Sequence, residues 1–121
     1  MVSSWHRGTV PAESARWLTV PDLVDILSLS PGRVHRLLEE RQLLAVRRDK
    51  VLVVPEEFLL DGAPVKDLRG TLILLADDGF TDDEAMEWML SPNELLGASP
   101  IEALRAGRKA EVRRVAQALA F

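Results

Sequence analysis

Apolar positions change their spacing twice between Trp17 and Leu60, and each change marks an element. In "WLTVPDLVDIL" Leu23, Ile26 and Leu27 mark one face of a short helix, with Thr19 as its cap, Pro21 in the first turn and Asp22 completing a short variant of the capping box. In "SLSPGRVHRLLEE" Ser30 precedes Pro31 as a second helix start, and Val34, Leu37 and Leu38 follow at i, i+3 and i+4 as the buried stripe. The opposite face carries Gly32, Arg36 and Glu39, flanked by Arg33 and His35. After Gln42 the helical spacing gives way to the short β-branched runs "LLAVRR" and "KVLVVP" around Asp49, a tight hairpin whose turn lacks a glycine. Pro55 ends the second run and opens a short helix through "EEFLL".

The remainder is helical in pattern. "VKDLRGTLILLADDG" keeps helical spacing up to a stop at Gly79, and Gly70 inside it points to a close packing contact, because an interior glycine costs up to about 1 kcal/mol of helix propensity. Thr81 and Glu84 form a capping box before "AMEWML", and Ser99, Pro100 and Glu102 repeat the device before a helix stopped by Gly107. Val112, Val115, Ala116 and Leu119 give the stripe of a last helix. No internal repeat is present.

The pattern predicts a mainly α chain with a small β-hairpin wing: a winged helix-turn-helix over residues 17–60, followed by a C-terminal helical bundle over residues 63–121. Residues 1–16 lack apolar periodicity and read as a flexible arm. Trp5, His6 and Arg7 offer contacts there, and Ser3, Ser4, Thr9 and Ser14 offer hydroxyls for phosphate. A chain of 121 residues holds one modest core, or two small subdomains sharing an interface.

Composition narrows the function. Without cysteine there is no disulfide framework, no thiolate metal site and no cysteine nucleophile. The longest apolar run, Leu72 to Ala76, is far short of the roughly 20 residues of a membrane helix, so the expected location is the cytoplasm, in association with the nucleoid. His6 and His35 lack the spacing of metal ligands or of a triad, and no glycine-rich phosphate loop appears. The carboxylates of "DDGFTDDE" are accounted for by the Thr81 cap and the helix dipole without a metal ion. Neither a cofactor nor an enzymatic activity is expected.

Charge changes the picture more. The formal net charge is −4, yet Arg33 to Pro55 carries six basic residues (Arg33, Arg36, Arg41, Arg47, Arg48, Lys50) against three acidic ones (Glu39, Glu40, Asp49), a local +3. A polyanion within a Debye length of about 8–10 Å responds to that local patch. Two tightly joined helices followed by a hairpin with a basic tip is the order of parts in a winged helix-turn-helix. There the second helix enters the major groove of double-stranded DNA and the wing lies along phosphate or the minor groove. Arginines on the exposed face near the start of that helix can then fork onto guanine, the wing cations can meet phosphate oxygens, and the helix N-terminus at Ser30 favours a phosphate. The competing reading is a solvated amphipathic face, with Arg33, Arg36 and Arg41 paired to Glu39 and Glu40.

The stretch "WLTVPDLVDILSLSPGRVHRLLEERQLLAVRRDKVLVVPEEFL" resembles the excisionase-like and MerR-like winged-helix family. The likeness is carried by Leu18–Thr19, Leu23 to Leu27, Ser30, Gln42 to Leu44, Ala45–Val46–Arg47 and Pro55. Taken whole, the chain resembles a small actinobacterial family of winged-helix DNA-binding proteins. That resemblance implies Arg33, His35 and Arg36 as the groove contacts and Arg47, Arg48 and Lys50 as the wing contacts.

The tail "WMLSPNELLGASPIEALRAG" resembles the C-terminal domain of the ParS, MbcA and Xre group of antitoxins at Trp88, Pro92, Asn93, Leu96, Gly97, Pro100, Leu104 and Gly107, with Ala98 in place of a second glycine. Trp88, Leu96 and Leu104 are expected in the core. The resemblance implies a surface for a protein partner or for self-association. Two functions follow: a sequence-specific DNA-binding regulator, transcriptional or nucleoid-associated, and alternatively an antitoxin or adaptor acting through its tail. The acidity of the tail would also limit indiscriminate coating of DNA.

Overall fold

The computed structural model describes residues 16–119. Of the expected arm over residues 1–16, residues 1–15 lie outside them, whereas Arg16 is held against Glu56 by a side-chain ion pair at 3.0 Å and by a backbone bond from the Glu56 N–H to the Arg16 carbonyl at 2.9 Å.

The elements run β1 (Trp17–Thr19), α1 (Val20–Leu27), α2 (Pro31–Glu39), β2 (Val46–Arg48) and β3 (Val51–Pro55), with a 3₁₀ turn at Glu56–Phe58. A two-stranded ribbon follows, β4 (Leu59–Leu60) with β5 (Ala63–Pro64), and then α3 (Leu68–Asp77), α4 (Asp82–Leu90), α5 (Pro100–Arg105) and α6 (Lys109–Gln117). The architecture is a winged helix-turn-helix head followed by a helical tail, as the spacing predicts.

Local chemistry places most boundaries. Thr19 and Asp22, Thr81 and Glu84, and Ser99 and Glu102 each exchange two hydrogen bonds between cap and first turn, satisfying N–H groups that have no partner inside the helix. These bonds from the Thr19 backbone and hydroxyl hold the Asp22 carboxyl below its ordinary value. Gly79 and Gly107 occupy left-handed positions directly after α3 and α5, and their N–H groups donate to Ala76 and Leu104.

Several features depart from the pattern, among them the short helix expected through Leu60, which ends at Phe58 and gives way to the β4–β5 ribbon. The sheet has a third strand, because β1 pairs antiparallel with β3, Leu18 opposite Val54. Three residues carry too little alternation to announce a strand, and the partner lies far along the chain. The first wing strand begins only at Val46, since Leu43 and Leu44 are buried core residues rather than strand. Ile26 is 42% exposed. The inward arc of α1 runs through Val20, Leu23, Val24 and Leu27, and at about 100° per residue Ile26 falls roughly 110° from its centre.

One continuous core joins head and tail. Leu18, Leu23, Val34, Leu43, Val54 and Phe58 pack in the same cluster as Leu68, Leu72, Leu75, Met89, Ile101 and Val112. Leu96 and Leu104 belong to it too, and half-buried Trp88 packs against it. At the α3–α6 contact a methyl on Gly70 would stand 3.1 Å from Arg113 Nη2, so the close approach inferred from that glycine is present. From α5, the Arg105 guanidinium donates to the backbone carbonyls of Glu57, at 2.9 Å, and Leu59. Burial, and after it the charge of Glu102, pushes the Glu57 carboxyl above its ordinary value.

Candidate nucleic-acid interface

Helix α2 is built to present one side. Ser30 Oγ accepts the Arg33 N–H at 3.2 Å, Pro31 occupies the first turn, and Val34 is fully buried. Burying Val34 turns Gly32, Arg33, His35 and Arg36 outward, and all four are exposed. Among the described residues the Arg33, His35 and Arg36 side chains make no hydrogen bond or ion pair. The pairing to Glu39 and Glu40 that a solvated face would show is therefore absent.

The end of α2 is different. Arg41 adopts φ 63, and the Arg41 and Gln42 N–H groups close the helix onto Leu38 and Leu37 at 3.2 and 2.9 Å. Its guanidinium then lies 2.8 Å from Asp82 in the first turn of α4. Arg69 of α3 donates to the Glu40 carbonyl at 2.9 Å. The sequence counted Arg41 within the basic patch; the fold gives it a carboxylate from the tail.

The wing turns through Asp49 and Lys50, with φ 53 and 69, so both central residues are left-handed, as a two-residue hairpin with the sheet's natural twist requires. Arg47 Nη1 donates to the Lys50 carbonyl at 3.4 Å. Pairing register sorts the wing cations by face. Arg47 shares its face with Leu52, Val54 and Leu18, where Leu18 and Val54 are buried, whereas Arg48 shares the other with Val46, Val51, Val53 and Trp17. The Arg48 guanidinium stands over the Trp17 ring, 4.8 Å from its centroid, within the range of a cation–π contact. A cleft of about 220 Å³ between this face and α4 is lined by Trp17, Val46, Arg47, Arg48, Asp83, Met86 and Glu87.

The predicted residues thus form two exposed groups, Arg33, His35 and Arg36 on α2, and Arg47, Arg48 and Lys50 on the wing. Ser30 serves as the cap between the helices. Trp17, Asp82, Asp83 and Glu87 were missed as neighbours of these cations. The acidic run was legible as a cap, but its direction toward the wing depends on how α4 docks.

Residues 8–59 match the family described as DNA-binding protein Rv2175c, wHTH domain, and residues 65–120 match the Rv2175c C-terminal domain of unknown function. The chain belongs to the Rv2175c family. It is 35% identical over 115 residues to DNA-binding protein Rv2175c of Mycobacterium tuberculosis (strain ATCC 25618 / H37Rv), an alignment spanning 84% of this chain and 79% of the relative. The NMR structure of Rv2175c superposes with a TM-score of 0.81 at 33% identity, covering 89% of this chain and 83% of the other. The Rv2175c likeness therefore extends through head and tail.

Among the described residues no group of three or more His, Asp or Glu is placed to hold a metal ion, and no helix is long and apolar enough to cross a membrane.

Proposed function

We propose that this protein binds double-stranded DNA sequence-specifically, as a transcriptional or nucleoid-associated regulator. Residues 17–60 form the reading head and residues 63–121 the helical module that carries it. Helix α2 enters the major groove, where Arg33, His35 and Arg36 reach base edges, Ser30 and the helix N-terminus face a phosphate, and Arg47, Arg48 and Lys50 meet the backbone. The observation that carries this reading is the exposed side of α2, whose Arg33, His35 and Arg36 side chains lack an internal partner among the described residues. The name of the M. tuberculosis relative supports it.

The test is binding to a mixed duplex pool at two salt concentrations, with the native protein and an Arg33→Ala/Arg36→Ala/Arg48→Ala/Lys50→Ala variant. About four phosphate contacts predict a log–log salt slope of about −3 to −4 for the native protein. The variant should lose that dependence. Equal, salt-insensitive behaviour of both proteins would falsify the reading.

A second reading, a protein partner or self-association through the tail, is favoured by Leu95, which is 78% exposed on the turn between α4 and α5, inside the segment that resembles the ParS, MbcA and Xre antitoxins. Light scattering of native protein and Leu95→Ser across concentration checks self-association: a concentration-dependent mass that the variant abolishes supports it.

A further inference from the structure

The wing sheet has protein on both of its faces, while Arg47, Arg48 and Val51 near its tip are exposed. Leu18 and Val54 face the core on one side; on the other, the face bearing Val46, Arg48 and Trp17 meets α4 across the cleft with Asp83 and Glu87. A wing that only tracked DNA would leave its cations to solvent. Here two wing cations, Arg47 and Arg48, line a cleft with two carboxylates from the other half of the chain.

A second contact shows the same tendency. Asp82, in the same first turn of α4, already binds Arg41 at 2.8 Å, so the tail holds one cation of the basic stretch outright. Across the cleft no nitrogen of Arg47 or Arg48 comes within 4.0 Å of Asp83 or Glu87, and Arg48 rests on the Trp17 ring. Arg48 therefore faces anions without being neutralised by them. Its position on the ring leaves it able to turn toward either polyanion, protein or nucleic acid.

We propose that α4 is an electrostatic competitor, in cis, for the phosphate backbone: Asp83 and Glu87 hold back Arg48 and repel a strand approaching that side of the wing. This rests on the DNA-binding reading above. A phosphate drawn to Arg48 must come close to two carboxylates, and at that range in water like charges remain within one Debye length of each other. The penalty falls on backbone contacts, which every duplex offers. The residues of α2 that would reach base edges, Arg33, His35 and Arg36, do not line that cleft. The tail thereby sets a threshold: the wing alone does not secure a duplex, and binding depends on what α2 reads.

The experiment compares native protein, Asp83→Asn/Glu87→Gln, Arg48→Ala and the combination of all three on a random duplex across a salt series. Neutralising the pair should tighten binding about three- to tenfold at low salt and steepen the slope by about one, the signature of one more phosphate contact. In the Arg48→Ala background the gain should vanish, which a double-mutant cycle reads as coupling. Asp61→Asn/Glu94→Gln removes the same charge from turns outside the cleft and controls for net charge. Circular dichroism verifies that each variant folds.

An unchanged affinity, a gain that survives Arg48→Ala, or an equal gain from Asp61→Asn/Glu94→Gln overturns the proposal. Failure of native protein and every neutralised variant to bind at low salt sinks the DNA-binding reading and this inference with it. Binding only by Asp83→Asn/Glu87→Gln supports it in its strongest form.

Discussion

Head and tail solve the same backbone problem in opposite ways. Among the described residues the left-handed positions of the head are Ser28, Arg41, Asp49 and Lys50, none of them glycine, whereas after Asp67, which precedes α3, those of the tail are Gly79, Gly97 and Gly107, and Asp61 and Gly62 turn the ribbon between the two. A left-handed residue with a side chain costs about 1–2 kcal/mol, less for Asp. The contrast is sharpest between two hairpin turns: Asp61–Gly62 has the pair that such turns favour, while Asp49–Lys50 puts a long cation where glycine would relax the chain. Two of the three strained residues that are neither Gly nor Asp are Arg41 and Lys50, one bound to the tail and one at the wing tip. Strain is accepted in the head where it displays charge, and the tail is the relaxed support.

The largest test of this contrast is Phe58→Ala. Phe58 is fully buried where the head's core runs into the tail's, so its loss should cost about 3–5 kcal/mol and lower one common unfolding transition in urea. Two separated transitions would break the picture of a strained head on a continuous support. Next is Gly107→Ala, which forces a side chain to φ 83 and should cost about 1–2 kcal/mol in the same experiment, with duplex binding intact. Lys50→Gly should act with the opposite sign: relief of about 1–2 kcal/mol of left-handed strain, less about 0.5–1 kcal/mol for glycine entropy, leaves a gain of up to about 1.5 kcal/mol. The same change should weaken duplex binding and flatten the salt slope by about one. A Lys50→Gly protein that is less stable than native would remove the strain from the argument.

The smallest effect is Glu57→Gln. The folded carboxyl is raised, by burial first, so its charged form opposes folding once pH exceeds the folded value, and the opposition disappears below the ordinary carboxylate range. The variant should melt up to about 2 °C higher than native at pH 7 and indistinguishably at about pH 3.5, read by a thermal scan at both.

Much of this was written locally. Reciprocal caps at Thr19, Thr81 and Ser99, and glycine stops at 79 and 107, act over three or four residues, so their chemistry is legible in the chain itself. The three residues of β1 were not, because a short strand is defined by its partner, and Ser30 and the exposed side of α2 were read without knowing what covered the wing. Asp61–Gly62 carried a strong hairpin signal that the helical reading of its surroundings obscured. Arg41 shows the general limit: its partner lies 41 residues on, in a run already explained as a cap.

Arg105 grips carbonyl oxygens at Glu57 and Leu59, not side chains. A clasp of that kind is indifferent to which amino acids occupy the clasped positions. For these two hydrogen bonds the arginine alone bears the constraint, while the Leu59 side chain is held separately by its place in the core.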